Sequence, residues 1–207
     1  MTDGSKSREL HLILASSSPR RKELLTALGI RFRVVPSTVE EVSVNGESPE
    51  AQVARLALAK AEDVMEQFPG SWVLGGDTIV VIGGRILGKP RDKEDARSML
   101  ATLAAKTHEV YTGYALVNSL LPERHRVRHV RSGVHIRELS EEEIEGYVMT
   151  GEPMDKAGAY AIQGVGSGIV ERVHGSYTNV VGLPLCEVAR DLKELGIFDF
   201  LRAYRGG

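Results

Sequence analysis

An aspartate, Asp77, stands in the middle of an apolar segment, Trp72-Val73-Leu74-Gly75-Gly76-Asp77-Thr78-Ile79-Val80-Val81-Ile82. Aspartate is depleted in strands and seldom fully buried without a partner. Asp77 is therefore expected either to be neutralised by a cation or to sit at the lip of a cleft. A carboxylate in such a place can orient a water and take its proton. Asp77 is read as the catalytic carboxylate, with basic residues elsewhere in the chain facing the anion it acts on.

The strongest source of positive charge near a turn is Ser16-Ser17-Ser18-Pro19-Arg20-Arg21, which follows the apolar run at residues 10–15. Ser18 suits a helix N-cap, Pro19 the first helical position and Gly29 the stop. The free N–H groups and the dipole of a helix start favour an anion, and arginines add bidentate bonds to phosphate oxygens. The two arginines could equally lie on a solvated helix face, and spacing alone does not choose. The segment is not a P-loop, because the glycines and terminal Lys-Ser/Thr of that motif are missing. Further on, Glu40-Glu41 could hold a divalent metal or simply decorate a loop. Arg55 and Lys60 project from a helix opened by Ser48-Pro49 and running to about Gln67, where by default they are surface charges.

These residues need a scaffold, and its elements are legible in order. Residues 10–15 and 32–36 read as strands, and the Asp77 segment turns at Gly83-Gly84 into a hairpin. Asp92 caps a helix over 93–103, a strand covers 108–117, and a longer one covers 126–137. Neither face of that longer strand is cleanly apolar, which predicts an edge or partly exposed ribbon. Ser140-Glu141-Glu142-Glu143 is a capping box opening a helix to about Thr150, ended by Gly151-Glu152-Pro153. Asp155-Lys156-Ala157-Gly158-Ala159-Tyr160-Ala161-Ile162-Gln163-Gly164 is small and glycine-rich, so a ligand and the backbone could approach closely. A strand over 168–173, a loop over 175–179 and a helix from Pro184 to about Leu195 complete the chain. Strands and helices alternate but hairpins intervene, so an α/β fold with a mixed sheet is expected.

Composition narrows the function classes. The chain has 207 residues, with 26 Lys and Arg against 28 Asp and Glu, a net charge of −2. That argues against a general nucleic-acid binder, which is usually basic, but not against a local basic pocket. The single cysteine, Cys186, cannot form an intramolecular disulfide or a cysteine-rich zinc site, and its apolar neighbours predict a buried structural thiol. No apolar run approaches the roughly 20 residues that cross a bilayer. The polar start has no signal-peptide core, and a reducing, cytoplasmic setting is expected. Residues 1–8 read as a disordered lead, and residues 9–207 as one domain.

Several blocks, in order over about residues 10–195, resemble the Maf family. They are Leu14-Ala15-Ser16-Ser17-Ser18-Pro19-Arg20-Arg21, Gly76-Asp77-Thr78-Ile79-Val80, Leu87-Gly88-Lys89-Pro90, Asp155-Lys156-Ala157-Gly158-Ala159-Tyr160, Ile162-Gln163-Gly164 and Gly175-Ser176-Tyr177-Thr178-Asn179-Val180-Val181-Gly182-Leu183-Pro184-Leu185. The resemblance implies a nucleoside triphosphate pyrophosphatase that cuts between the α- and β-phosphates with a divalent metal, Mg2+ or Mn2+. It implies a twisted mixed sheet with flanking helices and two lobes around a cleft, similar to the inosine triphosphate pyrophosphatases. A housekeeping role on modified or excess nucleotides, a link to cell-division arrest and a homodimer are implied by the same likeness. By position, Asp77 matches the proton acceptor. Ser16, Arg21, Lys60 and Lys89 match the phosphate pocket, with Glu41 and Asp77 at the metal. Arg20, Thr78 and Gln163 match the specificity positions of the dTTP/UTP branch. A glutamine amide can both donate to and accept from the O4/N3–H edge of uracil or thymine. Gly76 stands where alanine is commoner, and a slightly looser backbone is expected there. Two other readings stay open: a non-catalytic nucleotide-binding regulator of division, and an inosine or xanthosine triphosphate pyrophosphatase.

Overall fold

The computed structural model describes residues 12–199; the expected lead over 1–8 lies outside them. Its elements are β1 (Leu12–Ala15), α1 (Pro19–Ala27), β2 (Phe32–Val34), α2 (Pro49–Met65), β3 (Trp72–Ile82), β4 (Arg85–Leu87), α3 (Lys93–Leu103), β5 (Thr107–Val117), β6 (Arg126–Ile136), α4 (Glu141–Met149), β7 (Val170–His174), α5 (Tyr177–Val181) and α6 (Leu185–Glu194). Short 3-10 turns link α4 to β7. The helix starts follow the local chemistry. Ser18, Ser48, Asp92 and Ser140 each accept a backbone N–H at their N-cap, and Ser140 with Glu143 completes a capping box.

The sheet has seven strands in the order β2-β1-β3-β5-β6-β7, with β4 paired to β3. β1 runs parallel to β2 and β3, and the remaining pairings are antiparallel. This is the mixed sheet expected from alternating elements broken by hairpins. On one face, α2 covers the middle of the sheet through Ala57, Ala61 and Val64 against Val73, Ala115 and Val117. The other face carries two separate apolar clusters. One gathers Leu12, Leu14, Trp72 and Leu74 under α1 and α6. The other gathers Val80, Val110, Val134 and Ile136 under α3 and α4. β3 and β5 run through both, so two lobes share one sheet.

The structure corrects some expectations. Cys186 is exposed, because the buried stripe of α6 is Val188, Ala189, Asp191 and Leu192 and residue 186 lies on the opposite side of a 3.6-residue turn. Residues 175–179 are not all loop: Ser176 accepts from the Asn179 N–H at 3.2 Å and starts the short helix α5. The long strand β6 is an edge only over its first half, since β7 pairs with it from Gly133 onwards.

Candidate active site

The position of Asp77 follows from a gap in the sheet. On one side of β3, β1 pairs with residues 72–75 and β4 with residues 80–82. Among the described residues, no strand pairs with 76–79 on that side. β5 holds the other side without interruption, with Gly76 opposite Tyr114 and Asp77 opposite Gly113. The loop leaving β1 and the start of α1 turn into this gap. A ligand can therefore reach the middle of a central strand from its edge, at the carboxyl end of parallel β1, where α/β sheets bind ligands.

A cavity of about 410 Å3 occupies the gap, and every residue matched to a site role by the family resemblance lines it: Ser16, Arg20, Arg21, Glu41, Lys60, Asp77, Thr78, Lys89 and Gln163. Strand alternation divides β3 between its two faces. Asp77 points to the α2 side, where it is 4% exposed, and Lys60 meets it from the helix. The Lys60 Nζ donates to Asp77 Oδ1 at 2.7 Å and to Glu41 Oε1 at 2.6 Å. Lys60 is thus a buried, doubly paired cation rather than a surface charge. The loop bearing Glu41 is fastened to α2 at two places. Asp63 accepts from Ser37 Oγ and the Thr38 N–H at 2.8 Å each, while Arg55 grips Glu47 through two bonds and donates to the Val42 carbonyl. Burial pushes the Glu41 carboxyl up, but the hydrogen bond and charge of Lys60, with the charges of Lys89 and Arg21, outweigh it and leave the pKa lowered.

Thr78 points to the opposite face, toward α1. Arg21 lies over it, donating from Nε to the Gly182 carbonyl at 2.8 Å, from Nη1 to Ser16 Oγ at 3.1 Å and from Nη2 to Thr78 Oγ1 at 3.1 Å. Burial lowers the Arg21 pKa, opposed by the charges of Asp77 and Glu41. Thr112 Oγ1 gives its proton to the Asn179 carbonyl at 3.0 Å, so across the 2.9 Å contact Thr78 is the donor. With its proton committed, the Thr78 hydroxyl can offer a ligand only a lone pair.

Gly76 sits in an unbroken ladder with Tyr114, so the looser backbone expected there is not found. What the glycine supplies is room: a Cβ would lie 3.2 Å from Arg21 Nε. Sequence spacing could not separate the two arginines, and the structure does. Arg21 is woven into the site, while Arg20 reaches across to Asp155 at 3.5 Å. Lys89 is an exposed side chain on the loop after β4. Gln163 lines the cavity from the far lobe, with no hydrogen bond from its amide to any described residue. Thr112 and the Gly182 carbonyl complete the hydroxyl–guanidinium chain; neither carries a local signal that reasoning from the sequence could use.

The donor set fits a hard divalent cation. Asp77 and Glu41 each bring a carboxylate oxygen to the same point, where the Lys60 ammonium sits, and no described residue donates to Asp77 Oδ2. Among the described residues, no group of three or more His, Cys, Asp or Glu could enclose a metal. Mg2+ is commonly held by one or two carboxylates, with substrate phosphates and water filling the rest of its shell.

Among solved structures, a HAM1 protein from Coxiella burnetii covers 61% of this chain and 73% of its own at 18% identity, with a TM-score of 0.44. A nucleoside-triphosphatase, dITP/XTP pyrophosphatase, from Mycobacterium abscessus covers 93% and 100% at 17% identity, with a TM-score of 0.41. Sequence relatives are much nearer. A protein named dTTP/UTP pyrophosphatase from Syntrophus aciditrophicus is 50% identical over 91% of this chain and 92% of its own. One of the same name from Myxococcus xanthus is 50% identical over 90% and 93%. The family described as Maf-like protein matches residues 11–195, a span that holds both lobes and every residue around the gap in β3, and the chain belongs to that family.

Proposed function

We propose that the protein hydrolyses dTTP and UTP to the nucleoside monophosphate and pyrophosphate. The observation that carries this reading is the single cavity wall that joins a buried, lysine-paired carboxylate to an arginine-bearing helix start and an unengaged glutamine amide. Relatives about 50% identical over most of the chain bear the corresponding name.

A triphosphate brings several negative charges, which repel an incoming nucleophile. Arg21, Lys60, Lys89 and the Ser16 hydroxyl are assigned to its phosphates, where fixed donors stabilise charge that builds up on the leaving pyrophosphate. Asp77 is the base that orients a water toward the α-phosphorus and accepts its proton. The bond from α-phosphorus to the bridging oxygen breaks as the bond to water forms, and the electron pair leaves with pyrophosphate. Asp77 and Glu41 would hold a divalent cation, which when bound would supply charge neutralisation and a more acidic water. With phosphates bound, the Lys60 ammonium has anionic oxygens to turn to, which frees Asp77 for the proton. Gln163 and the Thr78 lone pair are assigned to the base edge, together with Arg20. A cytoplasmic setting suits this substrate, and no described helix is long and apolar enough to cross a membrane.

Parallel turnover of dTTP, UTP, CTP, ITP and 7-methyl-GTP tests the reading. The expected result is preferential loss of dTTP and UTP, with monophosphate and pyrophosphate in equal amounts. Release of orthophosphate instead, or preference for ITP, would overturn it.

A further inference from the structure

Gln163 has no side-chain anchor of its own, so its place in the cavity must come from its backbone. That backbone is gripped from outside the cavity. Tyr147, on the last turn of α4, donates from its hydroxyl to Glu152 Oε1 at 2.8 Å and accepts from the Ala161 N–H at 3.0 Å. Glu152 Oε1 also accepts from the Gly166 N–H at 2.9 Å, and Oε2 accepts from the Val165 N–H at 2.9 Å. The two side chains thus hold residue 161 on one side of Gln163 and residues 165–166 on the other. Tyr147 is 5% exposed, and Glu152 is anchored in turn by Lys156, whose Nζ donates to its carbonyl at 2.6 Å.

The fit around the pair leaves no slack. A Cβ at position 164 would lie 2.3 Å from Glu152 Oε2, and one at 166 would lie 2.4 Å from the Tyr147 hydroxyl. Gly164 also has φ +69°, a conformation that side chains rarely adopt. The glycines on either side of Val165 are therefore what lets the carboxylate and the phenol sit against this backbone.

We propose that Tyr147 and Glu152 are a positioning pair for the nucleobase, fixing the reach and orientation of the Gln163 amide without touching the substrate. This rests on the reading that Gln163 contacts the base. Neither residue lines the cavity, so their influence on substrate choice must pass through the 161–166 segment. Tyr147→Phe keeps the ring but removes the hydroxyl that two partners share, and Glu152→Gln replaces one acceptor by a donor facing N–H groups.

The test is the ratio of kcat/KM for UTP over CTP in the full chain. Tyr147→Phe and Glu152→Gln are expected to lower this ratio about tenfold, the size of one or two lost hydrogen bonds. The loss should fall mainly on KM for UTP, with kcat changed less than about threefold. In combination with Gln163→Ala, either change should add nothing further to the loss of discrimination, because the route through Gln163 is already cut. Amide exchange at Val165 and Gly166 should quicken in Glu152→Gln, which keeps the proposal testable if Tyr147→Phe does not fold. An unchanged UTP-over-CTP ratio, additive losses in the double variants, or unaltered exchange would overturn it. A Gln163→Ala protein with the parent ratio would instead sink the underlying base-contact reading and the pair's role with it. A parent protein inactive on UTP would sink the activity itself.

Discussion

Lys60 holds two carboxylates at once, with its Nζ 2.7 Å from Asp77 and 2.6 Å from Glu41. A buried ion pair adds little net stability over an apolar pair of the same size, yet removing one partner strands a charge. The cluster therefore suits the proposed chemistry better than a purely stabilising role. Gln163 is the opposite case, an uncharged side chain with no protein partner, and changing it should alter recognition without loosening the fold. Gln163→Glu is expected to raise KM for UTP and dTTP about tenfold or more, since an ionised carboxylate cannot donate to O4, while the unfolding midpoint moves little. Equal losses on all nucleotides in a steady-state comparison would count against the assignment.

His108 offers a separate residue-scale prediction, on stability. It is 1% exposed, its Nε2 lies 2.7 Å from the Tyr160 hydroxyl, and its Nδ1 has no partner. Burial, with a smaller push from His135, lowers its pKa from 6.5 to about 4. Between those values the unfolded chain binds the proton and the folded chain does not. Stability is thus full above the unfolded pKa and falls as the pH drops from about 6.5 to about 4, by about 3 kcal/mol at most. In denaturant titrations across that range, His108→Gln should show a shallower fall than the parent protein. Parallel curves would contradict this.

At the scale of elements, the approach of α2 to the sheet decides whether Lys60 can reach Asp77. The helix lies directly on two glycines. A Cβ on Gly113 would come 2.2 Å from the Val53 carbonyl oxygen, and one on Gly75 would come 2.2 Å from that of Ala57. Gly113 is opposite Asp77 in the ladder, so any lift of the helix there also withdraws Lys60. Gly113→Ala is expected to cost about 2–3 kcal/mol, read from urea midpoints, and to lower turnover in the protein that remains folded. A destabilised variant with the parent kcat would show that the lysine's reach is not set by this contact.

The same elements show what the sequence alone could reveal. Helix starts were legible because caps are local: Ser18, Ser48, Asp92 and Ser140 each act within three residues. The apolar run around Asp77 and its turn at Gly83-Gly84 were legible for the same reason, whereas its central place in the sheet was not. The gap beside residues 76–79 was not legible, since it depends on where β1 stops and β4 begins along a third strand. Arg20 and Arg21 are adjacent and chemically alike, and only the rotation of α1 turns one onto Ser16, Thr78 and Gly182 and the other across the cavity to Asp155. Glu152 read as a helix terminator, because its partners at 147, 165 and 166 come together only through the tertiary fold. Cys186 misled because apolar neighbours in sequence are not neighbours on a helix face.

For the molecule as a whole, the sheet does two jobs. Along β3 and β5 it ties two apolar lobes together, and at the missing stretch of β3's edge it opens the cleft that those lobes flank. Arg20 on α1 and Asp155 beyond α4 face each other across that cleft at 3.5 Å. The chain carries a net charge of −2, yet Arg20, Arg21, Lys60 and Lys89 converge on one cavity. That local concentration of charge, rather than the overall balance, would draw in a polyanion. The proposed chemistry has a single focus, the carboxylate in the gap. Pyrophosphate release from UTP by Asp77→Asn tests it most directly, with unfolding and UTP binding measured on the same sample. Asparagine preserves the shape and can still accept from Lys60, so a folded, UTP-binding protein whose kcat falls about a hundredfold or more is the predicted result. A folded Asp77→Asn protein that turns over UTP near the parent rate would contradict the account.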